Sequence, residues 1–242
     1  MTEEVTPGVF RLGNRTVNWW VVATSDGLTV VDAGLRRHFA QLERLLEHLG
    51  RSLTDVEAVV LTHADVDHIG VAEDLRRHGV PVFIHEFDSP GARGKMRALP
   101  KEALLSFWRP QAMVATFEYA RDGALRPRFV KETSAISDGD ILPVPGSPRV
   151  LHVPGHSRGS CALFLEERSI LFTGDALVTG DPLSGKREPT LLPKYDNVDH
   201  EQALRSLDTL SATGADLVLP GHGLPWEAGV AAAASLASVA FV

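Results

Sequence analysis

One cysteine, Cys161, in 242 residues rules out an internal disulfide. That fits a reducing compartment, and the cytoplasm is the expected location. Basic charge is also scarce. The formal net charge is -7, and the densest basic stretch, Arg121 to Lys131, is interrupted by Asp122. A nucleic-acid surface needs a concentrated basic patch, so none is expected. Long apolar runs are missing too. The N-terminal "MTEEVTPGVFRLG" is acidic and has no apolar core, unlike a signal peptide. The tail "AGVAAAASLASVAFV" is too short to span a bilayer and reads as a buried helix. No low-complexity tract or internal repeat is present, and homo-oligomerisation is left open.

The chain is 44% hydrophobic, enough for a sizeable core. Residues 8 to 13, 17 to 24 and 28 to 32 read as short strands, separated by the turn-forming "GNR" and "SDG". Leu42, Leu45, Leu46 and Leu49 recur at helical spacing ahead of Gly50, a candidate C-cap. "VEAVVL" predicts a buried strand, residues 69 to 78 a helix ended by Gly79, and "VPVFIH" another strand. From about Ser89 to Phe129 strand signals stop, and one or two helices are expected, with Pro110 as a break or kink. "RVLHVP", "SCALFLEE" and "SILFTG" resume the strand rhythm; a helix over 199 to 212, the strand "DLVLPG" and a last helix follow. Two β-rich halves flanked by helices predict a layered α/β sandwich, with residues 1–242 as one domain and about 89–129 as a helical insertion.

Four histidines and four aspartates fall at strand ends or in the loops after them: His63, His68, His156 and His222, with Asp32, Asp65, Asp67 and Asp175. Their contexts are "VDAG", "THADVDH", "VPGHSRGS", "FTGDA" and "LPGHG". In each, an apolar strand runs into a tight turn, usually with glycine, which lets the backbone bend sharply and approach a ligand. Imidazole and carboxylate together suit Zn, Mn or Fe. Positions 63 and 65 are two apart, while 67 and 68 are adjacent, so the pairs could face different ions. Two ions about 3.5–4 Å apart can share a hydroxide and polarise a substrate oxygen. Among the remaining histidines, His38, His48 and His78 lie in helical contexts and are expected to be solvated. His85 ends a strand near the site face, and His152 is expected in the core or behind the ligands. Trp19 and Trp20 are expected as core and rim aromatics.

Read together, these motifs resemble the metallo-β-lactamase superfamily, including its glyoxalase II-like and lactonase-like hydrolases. The family signature T-H-x-H-x-D-H, followed by P-G-H, T-G-D and a second P-G-H turn, corresponds here to "THADVDH", "PGHS", "TGDA" and "PGHG" in order. The resemblance implies a four-layer αββα sandwich. It also implies a hydrolase in which a metal-bound, bridging hydroxide attacks the carbonyl of a small-molecule ester, thioester, lactone or amide. His63, Asp65 and His156 would hold a first divalent ion. Asp67, His68 and His222 would hold a second, with Asp175 bridging. Asp67 would also orient the attacking water, and Asp32 would orient a ligand from behind. Zinc is the metal the resemblance favours.

Asp65 departs from the family pattern, which has histidine there. The extra carboxylate makes three aspartates facing two ions, which lowers Lewis acidity and, as a harder donor, tilts preference toward Mn or Fe. The flavo-diiron branch is similar in carrying a carboxylate at this position, but its flavodoxin-like domain has no counterpart here. The resemblance leaves two alternatives: a mononuclear iron persulfide dioxygenase using His63, His156 and Asp175, and a non-catalytic ligand-binding protein. Specificity is expected in the helical insertion, where Phe107, Trp108, Phe117 and Tyr119 could line a pocket or pack the helices. It is also expected in "VTGDPLSGKREPTLLPKYDN", where Lys186, Arg187, Lys194 and Tyr195 could meet a polar group.

Overall fold

In a computed structural model the described residues are 2–95, 101–104 and 109–239. Seven strands form one sheet in sequence order: β1 (Thr2–Thr6), β2 (Val9–Gly13), β3 (Asn18–Thr24), β4 (Gly27–Val31), β5 (Val56–Val60), β6 (Val82–His85) and β7 (Ser134–Ile136). The first four run antiparallel, and β4 to β7 run parallel. The second sheet contains β8 (Arg149–His152), β9 (Cys161–Leu165), β10 (Ile170–Gly174) and β11 (Leu217–Pro220), in the order β11-β10-β9-β8. Its β10 and β11 are parallel.

Side-chain alternation sorts the apolar residues into three layers of core. On β3, Trp20 and Val22 face the second sheet, where they meet Leu163 and Phe172. Trp19 and Val21 face the other way, toward the helices. Both tryptophans are therefore core residues. The helices on that outer face are α1 (Phe39–Leu49) and α2 (Ala72–Arg77). Leu42, Leu45 and Leu46 form the buried stripe of α1, and Gly50 ends it with φ of 63°. After β6, among the described residues, come α3 (Ser89–Ala92), α4 (Lys101–Leu104) and α5 (Pro110–Arg121). The outer face of the second sheet packs on α6 (His200–Ser211) and α7 (Val230–Val239) through Leu171, Val218, Leu207 and Ala233. The order is helix, sheet, sheet, helix, as expected.

Three expectations need correction. Strand β1 is not foreseen, because its residues TEEVT carry too little apolar signal. The segment expected as a helix from residue 69 becomes helical only at Ala72. The turn before it is held by bonds such as Gly70 N–H to the Gly34 carbonyl, 2.8 Å, and that turn positions the metal-type residues. His38 is not solvated but buried; its Nδ1 accepts from Leu35 N–H at 3.1 Å. Pro110 opens α5 at its first turn, where its missing N–H costs nothing. Phe107 and Trp108 lie outside the described residues. Among the described residues, no helix is long and apolar enough to cross a membrane.

One buried carboxylate ties α2 to the segment that leads into β7. Glu73 on α2 accepts from Arg76, Arg77 and the backbone N–H of Lys131. The hydrogen bond from Arg76 leads in lowering its pKa to about 2 from an ordinary 4.5. A depressed carboxyl pKa stabilises the fold fully above the unfolded value and loses that contribution as pH falls through the folded one. Here the window runs from about 4.5 down to 2, and the contribution is at most roughly 3 kcal/mol. Glu73→Gln should therefore be less stable than the wild type at pH 7, with the gap closing as the pH approaches 2. Denaturant unfolding across that range measures it, and a gap independent of pH contradicts the assignment.

Candidate metal centre

The parallel strands of both sheets end at one edge of the sandwich. Asp32 follows β4, the 63–68 loop follows β5, Asp175 follows β10 and His222 follows β11. Cross-sheet bonds lock that edge: Cys161 N–H donates to the Thr62 carbonyl (2.9 Å), and Asn18 N–H to the Gly221 carbonyl (2.7 Å). Glycine permits the close approach. A Cβ on Gly221 would lie 2.2 Å from Asp175 Oδ1 and 2.7 Å from His68 Cε1.

All seven residues expected as ligands meet there. Asp175 is central. Its Oδ2 lies 3.8 Å from His63 Nε2, 3.9 Å from His156 Nε2 and 3.0 Å from His222 Nε2, while Oδ1 is 3.5 Å from His68 Nε2. Asp67 Oδ2 is 3.7 Å from His68 Nε2 and 3.6 Å from His222 Nε2. Two trios, His63–His156–Asp175 and Asp67–His68–His222, bring one ligand atom each to within 4.8 Å of one another. Asp65 points into the cluster from its edge: Oδ2 is 3.2 Å from His156 Nε2 and 3.9 Å from His63 Nε2, with half of the side chain exposed.

The donors fit a cation. His63 Nε2, His68 Nε2 and Asp175 Oδ1 are buried and have no hydrogen-bond partner. Such groups are costly unless something else satisfies them. Electrostatics agree. Burial disfavours charge on His68 and His222, but the surrounding carboxylates together outweigh it: Asp175, Asp32 and Asp67 raise His68 well above its ordinary value, and Asp175 and Asp67 raise His222 to about 9. Burial likewise opposes the charge of Asp175, yet His222 and His68 hold its carboxyl well below the usual range. At Asp65, burial is outweighed by His156 and then His63, which hold it low. Burial and His68 push His63 down. Carboxylates that draw protons onto neighbouring imidazoles do the same for divalent ions, which displace those protons.

Behind the donors lies a supporting network. Asp32, with φ of 57°, accepts from Thr62 N–H (2.8 Å), Thr62 Oγ1 and the Nδ1 of His68 (2.9 Å). Its oxygens are thus occupied in fixing His68, the supporting position expected for it. The Thr16 carbonyl does the same for His222 Nδ1. Two further members had no clear signal in the sequence. Asp88 accepts from Ala64 N–H (3.2 Å), Ser157 Oγ (2.6 Å) and Gly159 N–H (2.8 Å), joining the loops of His63 and His156. Its one cue was a carboxylate just past a strand end. Tyr119, considered only as a pocket or packing residue, donates its hydroxyl from α5 to Asp67 Oδ2 at 2.8 Å. Burial and Asp67 push the phenol well above its ordinary pKa, so it stays a donor. The long loop after Asp175 reaches the site through Thr179 N–H, which donates to the His222 carbonyl. Lys186 in that loop pairs with Glu188 at 3.3 Å. His85 and His152 stack on one another, with ring centroids 4.3 Å apart.

Residues 12–222 match the family model described as the metallo-beta-lactamase superfamily. The chain belongs to that superfamily. It is 28% identical to "Probable metallo-hydrolase YflN" of Bacillus subtilis, over 92% of this chain and 86% of that one. It is 30% identical to the human "Acyl-coenzyme A thioesterase MBLAC2", over 88% and 75%, and 26% identical to "Hydroxyacylglutathione hydrolase GloC" of Haemophilus influenzae, over 80% and 79%. The crystal structure of the metallo-beta-lactamase family protein TTHA1429 from Thermus thermophilus superposes with a TM-score of 0.74 at 28% identity, covering 98% of this chain and 80% of that one. At the level shared across the superfamily, the protein is a metallo-hydrolase.

Gly221→Ala should empty the site without unfolding the protein, because its methyl would press on Asp175 and His68. The expected result is metal affinity lower by at least about 10-fold, the effect of losing a supporting contact. Competition with a chelator measures it, and unchanged affinity with an unchanged circular dichroism spectrum contradicts it.

Proposed function

We propose that the protein hydrolyses the thioester or ester bond of a small acyl compound, with two divalent ions held by the seven convergent side chains. His63, Asp65 and His156 would hold one ion and Asp67, His68 and His222 the other, with Asp175 shared between the two groups. Residues 1–242 act as one domain in the cytoplasm, with the helices of about 89–129 as an insertion over the site. The observation that carries this reading is the set of buried imidazole and carboxylate atoms without hydrogen-bond partners at the meeting edge of both sheets. The favoured bond type rests on two relatives whose printed names describe thioester hydrolysis. Hydrolysis is favoured over the mononuclear iron alternative because Asp67, His68 and His222 are as tightly gathered as the other trio.

When bound, such ions would supply Lewis acidity toward a carbonyl oxygen and would lower the pKa of water enough for it to act as a nucleophile at neutral pH. The chain's own residues supply the rest. Asp67, whose carboxylate accepts from the Tyr119 hydroxyl, would orient the attacking water and accept its proton. His68 is fixed by Asp32 and His222 by the Thr16 carbonyl, so the imidazoles are oriented before substrate arrives. The added carboxylate of Asp65 lowers the charge of the site and favours Mn or Fe beside Zn.

Purified protein reloaded separately with Zn, Mn and Fe should turn over members of a panel of thioesters, esters and lactones, and a chelator should abolish that turnover. Asp67→Ala should lower kcat/KM by about 100-fold or more. Absence of bound metal together with absence of turnover under all three conditions overturns the reading. Oxygen uptake with a persulfide substrate in place of hydrolysis favours the iron alternative.

A further inference from the structure

A concavity of about 690 Å3 lies between the β2–β3 turn, the start of α1 and the C-terminal end of α5. Four arginines line it: Arg15, Arg37, Arg44 and Arg121. Its acids are Glu118 and Asp122. Asp122 is already saturated, accepting two bonds from Arg121 (2.9 and 2.8 Å), one from Asn14 (2.8 Å) and one from His38 (3.3 Å). Arg37 donates to the Arg121 carbonyl (2.8 Å) and, among the described residues, has no carboxylate partner. Among the described residues, Arg15 and Arg44 have no hydrogen-bond or ion-pair partner in the protein, and both are exposed. Once the Arg121–Asp122 pair is set aside, three guanidinium groups face the single carboxylate of Glu118. That is a local positive excess on a chain of net charge -7.

Two of the segments that line this cavity lead directly into the site. Arg15 precedes Thr16, whose carbonyl receives the His222 ring, and Glu118 precedes Tyr119, whose hydroxyl binds Asp67. Arg37, Gln41 and Arg44 recur about one helical turn apart, so they present one face to it. The volume is that of a small-molecule site. Guanidinium forks match the paired oxygens of phosphates and carboxylates.

We propose that this cavity binds the anionic carrier of a thioester substrate, leaving the acyl carbon at Asp67 and the metal edge. The proposal rests on the thioesterase reading above and adds where the substrate's charged half is held. Two carriers share the required chemistry, coenzyme A through phosphates and glutathione through carboxylates.

The test is calorimetric titration of the metal-loaded protein with coenzyme A and, separately, with glutathione, at low and high salt. At least one carrier should bind, more weakly as salt rises. Its Kd should increase at least about tenfold in the Arg15→Ala/Arg44→Ala double variant, the effect of losing charge-assisted bonds. The control Arg205→Ala, on α6, should leave Kd unchanged. Binding of coenzyme A alone assigns phosphate recognition, and binding of glutathione alone assigns carboxylate recognition. Failure of both to bind, or an unchanged Kd in the double variant, overturns the proposal. The two readings fail separately. Arginine-dependent binding without thioester turnover removes the hydrolase reading and keeps the cavity; turnover with arginine-independent binding does the reverse.

Discussion

Asp175 lies where strands of both sheets run out, and its two oxygens come within 3.0 to 3.9 Å of four imidazoles. A buried carboxylate in that position is tolerable only if positive charge meets it. Much of the surrounding edge serves that requirement. Gly221 leaves room for the carboxylate and for His68, while Asp32 and the Thr16 carbonyl aim two of the rings. Removing the protons from those rings leaves a set of donors that only cations satisfy, so metal binding and the integrity of this edge are one problem.

The layered architecture follows from simple alternation. Trp19 and Trp20 are adjacent in sequence and sit in different cores, one under the helices and one between the sheets. Parallel pairing of β4 with β5 and of β10 with β11 brings their C-terminal ends to a common edge, where loops can place polar side chains without disturbing the packing beneath. Asp88 then ties two of those loops together, so that His63 and His156 are held relative to each other by backbone bonds and not by ring contacts alone.

The convergence of the seven histidine and aspartate side chains is legible because each sits in a short motif with its own turn chemistry, and most strands are legible because they alternate. What escaped was information that exists only in three dimensions. Tyr119 and Asp67 are 52 positions apart, and nothing near Tyr119 marks it as more than a helix residue. His38 looked like one more polar residue on a helix, yet the bonds that bury it come from Leu35 and Asp122, the latter 84 positions away. The start of α2 was misplaced because residues 69 to 71 are apolar enough to extend a helix, while their backbone is committed to the turn against Ala33 and Gly34. Asp65 shows the limit from the other side. Its identity raised the question of whether it joins the cluster; its contact with His156 brings it to the rim, half in water.

On the proposed reading this edge holds two ions, and Asp65 contributes to the one nearer His63 and His156. A crystal structure of the metal-loaded protein with anomalous data at the Zn, Mn and Fe edges tests it most directly. Two anomalous peaks about 3.5–4 Å apart are predicted, bridged by Asp175, with Asp65 in contact with the one nearer His63 and His156. A single peak, or two peaks with Asp65 turned to solvent, contradicts the account.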